Sequence, residues 1–182
     1  RRQKLLEQME EGVAILSAAP HALRSNDTEY PYRQNSDFYY LTGLEESNAV
    51  LVLAKTVSKM KTILYVEAYD AEYALWNGAK IGLEGARARF RVDEVRDVAQ
   101  YPNEIKELLR EHVNLYIDLF DESEALVRAR AAVKGLRETR GVKRHIRTFR
   151  DLTHLIRTLR LIKSDEEIET IQKAIAMTAK AH

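Results

Sequence analysis

The sequence contains no cysteine, and only three prolines and seven glycines in 182 residues. Without cysteine there are no disulfide staples, no thiolate zinc sites, no iron–sulfur clusters and no thiol nucleophile, a usage that suits a reducing compartment such as the cytoplasm. No apolar run approaches the roughly 20 residues needed to cross a bilayer, which speaks against a membrane partner. The opening RRQKLLEQMEEGVAIL mixes charges into its apolar positions, unlike the continuous apolar segment of a signal peptide. Neither sign of charge predominates: 29 Lys and Arg face 28 Asp and Glu, for a net +1. Such a balance marks neither a nucleic-acid binder nor a specialist for acidic substrates. The five histidines, His21, His112, His145, His154 and His182, form no His-x-x-x-His pair and no HExxH. Local spacing therefore offers no metal site.

What is present is enough to build a core. At 45% apolar residues over this length, one α/β domain with a short extra element fits better than two full domains. Leu5, Leu6 and Met9 fall at helical spacing, and Gly12 is expected to stop that helix. Short continuous apolar runs follow at residues 13–16, 49–54, 62–66 and 115–119, the pattern of strands covered on both faces. The closeness of the second and third runs predicts a hairpin, and hence a mixed sheet. Between the runs, Pro102 suits a first helical turn, with Ile105, Leu108 and Leu109 on one face. Asp121 and Glu124 have capping-box spacing ahead of Leu126, Ala129, Val133 and Leu136. Ser164 and Glu167 repeat that signature ahead of Ile168, Ile171 and Ile175, a stripe that reaches His182 with no stop signal. A domain boundary is expected near residues 160–163, with the last helix cut mid-element.

Four features invite a functional reading. Gly78, Gly82 and Gly85 in WNGAKIGLEGA lack the Gly-Lys-Ser/Thr of a phosphate loop, and helix ends are the simpler use of them. The basic run Lys134, Arg137, Arg140, Lys143, Arg144, Arg147 and Arg150 is interrupted by Glu138 and Asp151. It has no aromatic series for base stacking and reads as a solvated face rather than a nucleic-acid site. The polar segment RSNDTEYPYRQNSDFYYLTG carries Arg24, Asp27, Glu29, Arg33 and Asp37 among five aromatic rings. Its groups can satisfy one another and fix a long connection against the sheet, or face a cleft. Trp76, the only tryptophan, is either core or an interface anchor.

The segments GVAILSAAP and RSNDTEYPYRQNSDFYYLTGLEESNAVLVL closely resemble the amino-terminal domain of aminopeptidase P, the Xaa-Pro aminopeptidase. Trp76, Asn77 and Gly78, with the GLEGA that follows, resemble the Trp-x-Gly segment later in that domain. LRLIKSDEEIETIQKAIAMTAKAH is similar to the junction and first helix of the family's catalytic domain, a stretch shared with prolidases. The resemblance implies an α/β fold with a mixed six-stranded sheet flanked by helices, like the amino-terminal domains of creatinase and prolidase. Residues 1–160 would form that domain, and 161–182 the start of a truncated pita-bread catalytic domain.

The implied activity is removal of an amino-terminal residue from peptides with proline at the second position. Two divalent metal ions, commonly manganese, would carry it, held by Asp, Asp, His, Glu and Glu ligands that all lie beyond the position matching His182. No catalytic or metal-binding residue transfers to this chain, which would be inactive alone and would serve oligomerisation, as a dimer or tetramer, and shape substrate access. Trp76 matches a tryptophan that in some relatives reaches a neighbouring subunit's active site. Arg24, Asp27, Tyr30 and Arg33 match the signature segment, chiefly as scaffold at the substrate entrance or an interface. Arg150 is the candidate for an arginine that some relatives bring to the substrate, although RDLTHLIRT matches only loosely. A prolidase-like dipeptidase and a non-enzymatic interaction module are the alternatives.

Overall fold

The computed structural model describes residues 1–110, 112–141 and 144–182. Six strands form one sheet: β1 (Gly12–Ser17), β4 (Val50–Lys55), β5 (Met60–Val66), β6 (Glu94–Asp97), β7 (Asn114–Ile117) and β8 (Thr148–Asp151), in the spatial order β6-β5-β4-β1-β7-β8. β4 runs antiparallel to both β1 and β5, while β1–β7, β7–β8 and β5–β6 are parallel. The sheet is therefore mixed, and every strand except β4 ends at the same edge. A separate hairpin joins β2 (Leu23–Ser25) to β3 (Thr28–Glu29).

The four apolar runs become the four central strands because both faces of the sheet are covered. On one face Ala14, Leu16, Leu51, Leu53, Leu64 and Val66 meet α1 (Arg2–Gln8), α2 (Ser36–Thr42), α4 (Gly82–Arg89) and α7 (Leu152–Leu161). On the other, Val13, Ile15, Val50, Val52, Ile63 and Tyr65 meet α5 (Tyr101–Leu109) and α6 (Glu124–Glu138). Alternation within a continuous apolar strand sends successive side chains to opposite layers. Two further helices, α3 (Ala71–Asn77) and α8 (Asp165–Ala181), bury no residue at all. No helix among the described residues is long and apolar enough to cross a membrane.

Two local expectations need correction. Gly12 does not stop α1: the helix ends at Gln8, Met9 is extended, and Gly12 is the first residue of β1. A Cβ at Gly12 would sit 2.5 Å from the Asn114 carbonyl oxygen, so the glycine is required by strand approach. Met9 ends the helix because Lys55 Nζ donates to the Leu6, Glu7 and Met9 carbonyls at 2.7, 3.3 and 2.6 Å. The capping box at Asp121 and Glu124 does not form either. The N-cap is Ser123, because Asp121 is engaged elsewhere, accepting from Ser17 Oγ at 2.9 Å and Ser123 N at 2.7 Å. The box at Ser164 and Glu167 is present with both reciprocal bonds.

Candidate functional site

The common edge where five strands end gathers the chain's irregular segments, as α/β sheets generally do with their sites. Three arrangements hold the residues singled out above, two at this edge and one toward the opposite edge, where β1 and β7 begin.

The first is the signature segment, which divides into two physically different halves. Residues 20–31 are all exposed. They form the β2–β3 hairpin, turned at Asn26, whose φ of 47° asparagine tolerates. Arg24 and Asp27 stand on this hairpin, and Tyr30 follows it at 54% exposure. His21 Nδ1 pairs with Glu29 Oε2 at 2.8 Å across its base.

The second half is fixed by Gln34, which is 5% exposed. Its Oε1 accepts from Ala19 N and Asn35 N, and its Nε2 donates to the Leu44 and Glu46 carbonyls, all at 2.8–3.1 Å. Asn35 then caps α2 by accepting from Asp37 N and Phe38 N. Tyr32, whose hydroxyl donates to Ala19 O at 3.0 Å, has its pKa pushed up to about 12 by burial. Arg33 bonds only its own neighbourhood, the Gln34 carbonyl and Ser36 Oγ. The expected self-satisfying network thus exists from residue 32 onward, while Arg24, Asp27 and Tyr30 project to solvent.

The second arrangement is α3 and the groove beside it. Asp70 caps the helix by accepting from Glu72 N and Tyr73 N at 2.9 and 3.1 Å, and Gly78 ends it at φ 87°. The helix presents Leu75 at 76% and Trp76 at 81% exposure. The core reading of Trp76 is therefore overturned: among the described residues α3 buries no side chain. Alongside is a groove of about 710 Å³ between Tyr69 and Tyr73 on one side and Tyr101 and Pro102 at the first turn of α5 on the other. Lys80, ion-paired with Glu67, lies 4.6 Å from the Tyr73 ring centroid. Arg24, Asp27, Tyr30, Arg33 and Arg150 do not line this groove.

The third is Arg150 on β8. It donates to Glu10 Oε2 at 2.7 Å and Asn114 Oδ1 at 3.3 Å, and its guanidinium lies 5.9 Å from the Tyr116 ring centroid. Burial raises the Tyr116 pKa. Three partners make Arg150 a fastener between β8, β7 and the connection from α1 to β1. Other members of the basic run are similarly engaged: Arg144 pairs with Glu11, and Arg137 donates to the Ile146 carbonyl. Lys143 lies outside the described residues.

Among the described residues no three His, Asp or Glu side chains converge so as to hold a metal ion. The carboxylates of Asp37, Asp118 and Asp121 share one small pocket with Ser17, but Asp37 is ion-paired with Arg160 and Asp121 is occupied by hydrogen bonds. Their donor set does not suit a bound cation. Sequence reasoning missed Gln34 and Lys55, both of which act through tertiary contacts that no motif announces.

Comparison with known proteins sets these features in context. Residues 1–116 match the family model of the aminopeptidase P N-terminal domain. The chain is 35% identical to the Xaa-Pro aminopeptidase of Escherichia coli K12, over its whole length and 42% of that protein. It is 32% identical to human Xaa-Pro aminopeptidase 3, over 93% of this chain and 33% of that one. Among solved structures, the low-pH form of E. coli aminopeptidase P superposes with a TM-score of 0.92 at 35% identity, covering all of this chain and 42% of that one. The same E. coli enzyme has been solved zinc-substituted with product and with the inhibitor Pro-Leu. This chain spans about two fifths of the length of the bacterial relative.

Proposed function

Because this chain belongs to the family of aminopeptidase P amino-terminal domains, we propose that it is the non-catalytic domain of a metal-dependent Xaa-Pro aminopeptidase. The observation that carries this reading is the correspondence of the entire chain, in sequence and in fold, with the same two fifths of the E. coli enzyme. The protein's substrates are then peptides with proline at the second position. In this reading the intact protein would hold two divalent ions, manganese, which would supply Lewis-acid chemistry for the hydrolysis. The described residues offer no donor set for those ions, so the reading assigns them to the part of the relatives that this chain does not span.

Residues 1–160 are the domain proper, and 161–182 begin the catalytic domain. Supporting the division, α8 buries nothing and leaves Ile168, Ile171 and Ile175 exposed at 44–62%. The domain's own contribution is assembly and access. Trp76 and Leu75, exposed on a helix that buries no side chain, are suited to anchor a homo-oligomeric contact, since large aromatics contribute most where an interface desolvates them. The projecting hairpin with Arg24, Asp27 and Tyr30 is suited to narrow an entrance. The cysteine-free composition fits a cytoplasmic location.

The test is release of the first residue from an Xaa-Pro-Xaa peptide with added manganese, comparing this chain with a longer version carrying the catalytic portion. Activity confined to the longer protein is expected. Activity in this chain alone, or in neither, overturns the proposal.

A further inference from the structure

α8 is a helix of 17 residues with no buried residue, preceded by Leu161, Ile162 and Lys163, all exposed. Among the described residues none of its side chains is buried against the domain, so burial does not fix its direction. What meets it is concentrated at its first turn. Arg1 Nη2 donates to Glu167 Oε1 at 2.7 Å, and the same guanidinium lies 4.4 Å from the centroid of the Tyr40 ring. Arg160, the penultimate residue of α7, lies 5.8 Å from that ring and is ion-paired with Asp37 on α2. The Tyr40 hydroxyl meets the Leu159 carbonyl at 3.5 Å. One ring thus receives two guanidinium groups, and through them α2, α7, α8 and the start of α1 are joined at one point. Arginine suits this use because its planar cation interacts with an aromatic face and binds a carboxylate with the same group.

We propose that Arg1, Tyr40 and Arg160, with Glu167 and Asp37, form a clamp that sets the direction in which α8 leaves the α/β domain. The proposal rests on the reading that α8 opens the second domain, and there the clamp fixes the angle between the two. Tyr40 and the two arginines are positioning residues: they touch no substrate and act only through geometry.

The absence of cysteine makes a direct test simple. Val57, 88% exposed in the turn after β4, and Met177, 73% exposed on α8, become the only labelling sites in a V57C/M177C chain. Nitroxides there report the distance between domain and helix by pulsed electron paramagnetic resonance. The expected result is one narrow distance peak in the parent and in Tyr40→Phe, which keeps the ring, and loss of that peak in Tyr40→Leu. Arg160→Gln combined with Glu167→Gln changes only partly exposed side chains, leaves the fold intact, and is expected to lose the peak as well. A broad distribution in the parent, or an unchanged peak in the double variant, overturns the clamp. Peptidase activity plays no part in this measurement, so failure of the clamp and failure of the proposed function are recorded separately.

Discussion

Lys55 Nζ lies 2.6 Å from the carbonyl oxygen of Met9, and 2.7 Å from that of Leu6. A lysine at the end of a central strand thereby supplies the C-terminal cap of a helix that has no glycine to end it. The cation meets carbonyls that α1 leaves unpaired, at the negative end of the helix. Lys55→Met keeps the aliphatic stem and removes the donors. It is expected to lower stability by about 1.5–3 kcal/mol, the range for hydrogen bonds to charged groups, read as a shift of the urea midpoint with unchanged slope.

Gln34→Ala is expected to be more damaging. It leaves the Leu44 and Glu46 carbonyls and the Ala19 and Asn35 amides without their partner. At about 1–3 kcal/mol for each group that stays dry, a loss of at least about 3 kcal/mol follows in chemical denaturation. Arg24→Ala and Asp27→Ala on the exposed hairpin should stay within about 0.5 kcal/mol of the parent, so the signature segment separates into stabilising and solvent-facing halves.

Acid sensitivity follows from Glu94. The hydrogen bond from Lys61, at 2.5 Å, with Arg96 adding to it, holds the Glu94 pKa below its ordinary value. A carboxylate whose folded pKa is depressed contributes stability above its unfolded pKa and loses it as pH falls through the folded one. Stability should therefore decline on acidification below about pH 4.5, near the ordinary glutamate value, and Glu94→Gln should flatten that limb. The side chain is about one third exposed, so the effect is modest. A pH series of denaturation midpoints checks it.

The alkaline limb has the opposite cause. Burial raises the pKa of Tyr65 and Tyr101, and the hydrogen bond to Glu104 raises Tyr65 further. An acid whose folded pKa lies above its unfolded value holds its proton more tightly when folded, so stability is lost as pH rises past about 10, the unfolded tyrosine value. Tyr65→Phe should reduce the slope of that loss in stability measured between about pH 10 and 12.

Trp76 gives the cheapest check. As the only tryptophan and 81% exposed, it should be quenched by iodide nearly as well as free indole. Trp76→Ala should cost under about 0.5 kcal/mol. In the longer, assembled protein the proposed interface predicts strong protection from iodide, together with weaker self-association of Trp76→Ala by sedimentation.

The sequence made the middle of the sheet legible and its margins obscure, for one reason. β1, β4, β5 and β7 are covered on both faces, so burial writes continuous apolar runs into them. β6 and β8 lie at the edges and read EVRD and TFRD, where Arg96 pairs with Glu94 and with Glu104 of α5, Arg150 pairs with Glu10, and no apolar pattern survives. The stripes of α5 and α6 were equally plain because each packs one face on the sheet. Asp121 misled because its spacing to Glu124 suited a cap, while the fold gave its carboxylate to Ser17, 104 positions away. Trp76 stayed open between core and interface because burial of a lone tryptophan is a tertiary matter. Lys55 belongs to no local pattern, and Gln34, although inside the polar segment, meets Ala19, Leu44 and Glu46 only in the folded chain.

The placement of β1 at the centre of the sheet also dictates an order of events. β4 meets β5 through a turn joining Lys55 to Met60, whereas Val13 of β1 must wait for Leu115. By chain-closure entropy the second pairing is costlier by about 3 kcal/mol, and such distant contacts form late. In a chain emerging from the ribosome amino terminus first, one side of β1 stays unpaired until β7 has been made. During that interval GVAILS is an uncharged apolar edge, the kind of segment most open to pairing with another chain. The length of that exposure is thus set by about a hundred residues of waiting, and agents that shelter nascent strands should raise the yield more than those that stabilise the finished fold.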